Sequence, residues 1–470
     1  MSMNRREFLL KSGACSGALA VGGMPGLSFA SNPGMQDKKL IVIFGFGGPD
    51  ALSFLPPYGD PNYAALRGHF ALTAPERPRD LVWRNQQGRV ERTWSNYAAM
   101  RLDGFFGLHP ALALLKPHYD AGRMSFVHAA SISRPDLNLL GHFTRQEMFM
   151  NGRDIAESGR VAEGWMGRLL TKFQNATVGG VAFNRGNQVP GILLGPEAAG
   201  IMDISSTGPV TSDIDLIRQL YRNNPALLQS FNEAWNARQA FSEVPIQGLD
   251  QGRLMSFNGF ETQAMLAAET LAIDQQYAPS TAYLLMDGWD THSSGAYIDW
   301  TTGQVVNAYD QPDTYMYGRM GQLAAGLNAM VNKLIERNIF DKTLIVFAGE
   351  MGRQVRVTAS YGTDHGAGGF GMVLTGNPQL QSMLVQNNGP AGGPSRVLTQ
   401  WPGLSDNALI GGMHLRPTIN LMDLYRNLIA AHFGLNQDDA LDVIGRIANG
   451  EKVPIGLLDS SMSSGGVFAT

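Results

Sequence analysis

Short apolar runs alternating with helical patterns constrain this chain more than any other feature. Leu40–Phe44, Met124–His128, Gly191–Leu194, Ala282–Met286, Thr343–Phe347 and Gly371–Leu374 read as strands. Between them, Pro110–Tyr119, Asp213–Ser242 with Ser212 as its N-cap, Tyr315–Arg337 and Thr418–Phe433 carry helical spacing. Strands separated by helices predict an α/β fold around a mostly parallel central sheet flanked by helices. Ligands of such sheets bind beyond the carboxyl ends of the strands. Residues 56–107 and 203–278 interrupt the rhythm and are expected as insertions in a single domain spanning 31–455.

The two ends of the chain read differently. Arg5 and Arg6 precede Phe8 and Leu9, a weakly apolar, glycine-rich stretch comes next, and Ser28-Phe29-Ala30 supplies a small-x-small cleavage site. Residues 1–30 are therefore expected to be a twin-arginine signal peptide, with the export machinery as a partner and the periplasm as destination. Ser12-Gly13-Ala14 ahead of Cys15 lacks the aliphatic residue of a lipobox, so a lipid anchor is not expected. Twin-arginine clients cross folded, and many carry a metal or cofactor. The tail, residues 456–470, is expected to be flexible.

Charge and cysteine content narrow the chemistry. The formal net charge is -4 and becomes about -6 without the signal, which points away from nucleic acid. Cys15 is the only cysteine, so a mature chain starting after residue 30 has no disulfide and no thiol nucleophile. Its stability rests on its hydrophobic core. No later segment has 18 consecutive apolar residues, the length a membrane span requires.

The residues just after the strands carry the functional signal. "AYLLMDGWDTH" places Asp287, Asp290 and His292 after one run, and "TLIVFAGEMGR" places Glu350 after another. "GTDHGAGGFGMVL" sets Asp364 and His365 in a glycine-rich loop leading into a strand, His128 ends the strand in "SFVHAAS", and Asp50 comes after the first strand in "KLIVIFGFGGPDAL". Carboxylates and imidazoles are ligands for zinc, manganese, magnesium or calcium, so the set predicts one or two divalent ions. A single acid at a strand end is more often a turn former or cap; three potential ligands within "DGWDTH" are harder to read that way. His109 precedes Pro110 and reads as a capping or packing residue at a helix start, and His118, His414 and His432 have no such company and read as surface or satisfied core residues.

"GFGGPD" also raises a nucleotide reading, with glycines that cradle a pyrophosphate. Pro49 removes an amide from that cradle and Asp50 sets a negative charge where phosphate would lie. No strand ending in an acid lies about 20 residues on, so a nucleotide-dependent oxidoreductase is the weakest alternative.

The twin-arginine leader, "GFGGPDAL", "LPPYGDPNYAALR", "GLHPALALLKPHYDAGRMSFVHA", "EGWMGRLL", "DGWDTH", "FAGEMGR", "GTDHG" and "HLRPTINLMDLYRNLIAAHFGL" occur in an order that resembles the domain of unknown function 1501 family. That family is similar to the alkaline-phosphatase and sulfatase superfamily. The resemblance implies an alkaline-phosphatase-like fold with a two-metal site formed by Asp50, Asp287 or Asp290, His292, Glu350 and His365, with Asp364 as neighbour or ligand. Two ions would serve an in-line displacement at phosphorus or sulfur. Arg134 and Arg353 are candidate anion clamps, since guanidinium pairs bidentately with phosphate or sulfate, with Arg353 alternatively a salt-bridge partner of Glu350. His142 is a candidate to orient a ligand or act as general acid, and equally a core histidine at the start of a helix.

Departures from the family pattern bear on the nucleophile. Gly141-His142-Phe143 stands where Ser-His-Phe is usual, Pro417-Thr418-Ile419-Asn420 where Pro-Thr-Thr-Asp is usual, and Gly349 and Met351 replace Ser and Phe. Ser131, Ser133 and Thr144 are nearby hydroxyls, none in the matching position. The sequence thus supports a metal-dependent hydrolase of a small anionic phosphate or sulfate ester, with a non-catalytic envelope protein that binds a partner or glycan as the rival.

Overall fold

The computed structural model describes residues 37–445 apart from 133–140, 154–162, 173–179, 184–188, 196–200, 204–213, 237–258, 274–277, 294–296, 300–303, 307–314 and a few single positions. Residues 1–30, expected as a signal peptide, residues 456–470, expected as a tail, and Arg134 lie outside these residues. At the centre is a nine-stranded sheet built from β1 (Lys39–Gly45), β2 (Met124–Ser131), β3 (Gly180–Phe183), β4 (Ile201–Asp203), β5 (Thr281–Met286), β6 (Thr343–Gly349), β7 (Gly369–Thr375), β8 (Val397–Leu398) and β9 (Ile419–Asn420). The order is β8-β2-β7-β6-β1-β5-β3-β4, and β9 also pairs with β2. Within this sheet the described pairings are parallel except the two made by β7, with β6 and β2. The predicted mostly parallel α/β architecture is what the chain forms.

Burial on both faces explains why the strands are apolar at successive positions. In β1, Ile41 and Ile43 enter one core while Leu40, Val42 and Phe44 enter the other. The first core is closed by α2 (Phe260–Leu271) and α3 (Tyr315–Glu336), which contribute Ala264, Ala267, Met320, Leu323 and Leu327. The second is closed by α4 (Leu421–Phe433) with Tyr425, Leu428 and Ile429, and by Trp165 and Leu169 of the short helix Trp165–Leu170. Each fully buried Leu, Ile or Phe stabilises the fold by about 1.5–3 kcal/mol, so two such layers hold a disulfide-free chain together.

Local differences from the sequence reading have physical causes. Gly191–Leu193 is a 3-10 turn rather than a strand; Ile192 and Leu193 are buried, and a short buried apolar run has no period that separates the two. Pro110–Tyr119 splits into a 3-10 segment (Pro110–Leu115) and a short helix (Lys116–Asp120), since Pro117 restarts the backbone. The helix expected over Thr418–Phe433 begins at Leu421, because the Asn420 side chain caps Met422 N and Asp423 N and leaves Ile419–Asn420 to pair as β9. Of the expected helix 213–242, Ile214–Tyr221 is described as one regular helix. Within 56–107 the chain forms small antiparallel ribbons, Arg79–Arg84 with Val90–Tyr97 and Met100–Arg101 with Gly107–Leu108, outside the main sheet.

Candidate metal centre

Strand direction decides which side chains meet. Gly45, the last residue of β1, is in register with Met286 of β5 and Gly349 of β6, so three parallel strands release their loops at one edge. β7 runs the other way and therefore enters the sheet at that edge, bringing the loop that carries His365. β2 ends there too, and α1 (His142–Asn151) comes after it.

Four side chains converge at this edge: His142, Asp290, His292 and His365, each offering one donor atom within 4.8 Å of the others. His142 Nε2 lies 3.3 Å from Asp290 Oδ2, and His292 Nε2 and His365 Nε2 lie 2.9 and 3.3 Å from Asp290 Oδ1. The two imidazole nitrogens of His292 and His365 are 3.0 Å apart. Donors about 2.0–2.1 Å from a tetrahedral ion stand about 3.3 Å from one another, so this spacing fits a divalent ion. His142 Nε2 is buried and has no hydrogen-bond partner, as an atom awaiting a Lewis acid would be.

The opposite nitrogens face carboxylates. His142 Nδ1 lies 2.6 Å from Glu350 Oε1, and His292 Nδ1 lies 3.2 Å from Asp364 Oδ1. Glu350 is fully buried and also accepts from Gly47 N at 2.7 Å. A histidine that gives its second nitrogen to a carboxylate is fixed in tautomer and made a better ligand. The hydrogen bond to Glu350 raises the His142 pKa; burial opposes it, while the charges of Glu350 and Asp290 reinforce it. Burial pushes Asp290 upward, but Arg353, His142 and His292 together bring it below the usual carboxylate value.

The supporting loops are tied down by backbone contacts. Arg353, fully buried, donates to Asp290 Oδ1 at 2.6 Å, Gly48 O at 2.8 Å, Trp289 O at 2.9 Å and Thr363 O at 3.0 Å, and also to Gly47 O. It thus pairs with Asp290 rather than Glu350 and fastens three loops to one another. Gly47 is required there: its φ is +115°, and a Cβ would come within 2.3 Å of Asp290 N. Trp289 anchors the "DGWDTH" loop through Nε1 to Met286 O at 3.0 Å and an edge contact with Phe54.

Four predicted ligands fall outside this group: Glu350 and Asp364 face the far nitrogens of His142 and His292, and Asp287 and Asp50 are placed elsewhere. Asp287 lies 3.7 Å from Arg319 Nη2 on α3, and its carbonyl also accepts from Arg319. Asp50 caps the short helix Ala51–Phe54 through Leu52 N, accepts from Ser53 Oγ at 2.9 Å and is ion-paired with buried Arg67. Asp50 is not a member of the converging group. His142 is the member that the sequence did not offer as a ligand.

Fold and edge together define an α/β protein whose strand-end loops assemble metal-ligand chemistry. The chain belongs to the family described as Protein of unknown function (DUF1501), whose model matches residues 37–378. No curated protein matches the sequence. Among solved structures, it is similar to a protein in the alkaline phosphatase superfamily from Vibrio parahaemolyticus (11% identity, TM-score 0.29, covering 80% of this chain and 69% of that one). It is also similar to the C-terminal periplasmic domain of EcEptC from Escherichia coli in complex with Zn (10% identity, TM-score 0.30, 77% and 79% covered). A third is Ps i-CgsB in complex with k-i-k-neocarrahexaose (13% identity, TM-score 0.35, 87% and 75% covered).

Proposed function

We propose that this chain is an exported, metal-dependent hydrolase of a phosphate or sulfate ester, with His142, Asp290, His292 and His365 holding a divalent ion. The observation that carries this reading is the convergence of three imidazoles and one carboxylate whose far nitrogens, on His142 and His292, already face Glu350 and Asp364. Three nitrogen donors favour zinc or a similar borderline ion over magnesium or calcium, which take oxygen. When bound, such an ion supplies a Lewis acid that draws an anionic ester to an otherwise acidic chain.

The chain's own residues do the positioning. Glu350 and Asp364 orient the His142 and His292 rings, and Arg353 fixes Asp290 while joining its loop to those of Gly47 and Thr363. The Asp290 and His292 side chains are 42% and 47% exposed against 17% for His142, so substrate would approach from the Asp290–His292 side. Substrates that fit are small anionic esters or an ester on an envelope glycan.

Export by residues 1–30 to the periplasm is part of the same proposal; among the described residues no helix is long and apolar enough to cross a membrane. Replacing Arg5 and Arg6 with lysine should hold the protein in the cytoplasm.

One observation favours a second reading, a binding protein that holds an ion without turnover. Asp50 is sealed by Arg67, and glycine stands at 141 and 349 where a hydroxyl is expected. Metal content after purification without chelator, and then assays on phosphomonoester, phosphodiester and sulfate ester substrates, separate the readings, with His292→Ala as control. Bound metal and turnover lost in His292→Ala support the hydrolase; bound metal with no turnover supports the binding protein. No bound metal overturns both.

A further inference from the structure

The resemblance implies two ions, and a second ion needs carboxylates that are open to it. Asp50 is not open. Its Oδ1 accepts from Leu52 N at 3.2 Å, and its Oδ2 accepts from Ser53 Oγ at 2.9 Å and from Arg67 Nη2. The Asp50 and Arg67 side chains are 1% and 0% exposed. Arg67 is itself seated: Nη1 lies 3.4 Å from the carbonyls of both Gln354 and Val355, Nη2 donates to Ser53 Oγ at 2.7 Å, and the guanidinium stands over the Phe70 ring at 5.4 Å. A guanidinium keeps its charge at every physiological pH. Asp290 also pairs with an arginine, Arg353, but its side chain is 42% exposed, whereas a divalent ion on Asp50 would sit beside a permanent cation in a dry interior with both carboxylate oxygens taken, where like charges repel most strongly.

The other described acids that the resemblance names are committed as well, Asp364 Oδ1 to His292 Nδ1 at 3.2 Å. Asp287 faces Arg319, and Glu350 Oε1 faces His142 and Gly47 N. Glu350 Oε2 is buried without a hydrogen-bond partner, but one oxygen is not an ion site. We infer that this chain binds a single metal ion, at His142, Asp290, His292 and His365, and that Arg67 stands at Asp50 as a built-in cation in place of a second. The inference rests on the proposed metal site for its first ion and on the Asp50–Arg67 pair for the absence of the second.

Titration of the chelator-stripped mature chain with zinc alone, read by calorimetry and by metal content after gel filtration, tests it. The expected result is one zinc per chain, lost in His365→Ala. Asp50→Asn should keep that stoichiometry and an affinity near wild type, whereas loss of a true ligand or its partner costs about 10–100-fold or more. Asp50→Asn strands a buried guanidinium, so the double variant Asp50→Asn/Arg67→Met, which removes both charges, is titrated beside it. Two zinc ions per chain, or loss of zinc from the double variant while it remains folded, would overturn the inference and leave the proposed hydrolase standing. No zinc at all would overturn both.

Discussion

Glu350 Oε1 lies 2.6 Å from His142 Nδ1, across 208 residues of sequence. The contact orients His142 so that its other nitrogen points at Asp290, and Glu350 has no solvent to turn to instead. Glu350→Ala should therefore weaken zinc binding by about 10–100-fold while leaving the four proposed ligands in place. Competition against a chromophoric chelator measures this; unchanged affinity would remove Glu350 from the site.

The Asp50–Arg67 pair predicts a pattern in stability. Arg67→Met leaves a buried carboxylate unpaired and should cost about 3–5 kcal/mol, whereas removing both charges together with Asp50→Asn should recover much of that loss. Urea unfolding of the two single variants and the double variant gives the coupling directly. If the single variants cost no more than an exposed pair would, the pair is not a buried lock.

Two histidines outside the converging group set an acid limit. Burial pushes His128 and His432 down to about 4 from an ordinary 6.5. The unfolded chain therefore binds protons that the folded chain refuses between those values. Stability is fully present above about pH 6.5 and falls by about 1.4 kcal/mol per pH unit for each histidine as pH drops toward 4. Urea midpoints at pH 7.5, 5.5 and 4.5 should show a shallower fall for His432→Gln than for wild type; parallel curves would contradict the assignment.

Gly141 and Gly349 should respond in opposite ways to serine. A Cβ at Gly141 meets nothing nearer than Thr144 Oγ1 at 3.9 Å, and a serine there would cap α1, which has no side-chain cap. Gly141→Ser should be neutral or stabilising by a few tenths of a kcal/mol, roughly the difference between glycine and serine caps. At Gly349 a Cβ would lie 2.4 Å from Pro49 Cδ, so Gly349→Ser should cost about 1–3 kcal/mol. Thermal melts of the two proteins settle the comparison.

The sheet was readable because its strands are apolar, short and separated by helical spacing, and because parallel strands place their outgoing loops on one edge. That was enough to bring Asp290, His292 and His365 forward together. It was not enough to choose Asp290 over Asp287, since the choice depends on Arg319 reaching the loop from α3. Nor could spacing pair Asp50 with Arg67, whose stretch reads as an interruption of the fold. His142 looked like a lone histidine at a helix start because its partner comes from the far side of the sequence. The Ser-to-Gly departure beside it was a local signal, but it pointed to a missing nucleophile rather than to the ring that remains.

The reversed direction of β7 has a consequence for how the centre comes into being. Glu350 and His365 flank one loop between adjacent antiparallel strands, so they arrive together when that hairpin closes. His142 arrives only when distant segments have docked, a slower, long-range event. The centre thus draws on three separate segments, carrying His142, Asp290 with His292, and His365, and capture of an ion by all four side chains would mark the moment at which these three have docked on one another.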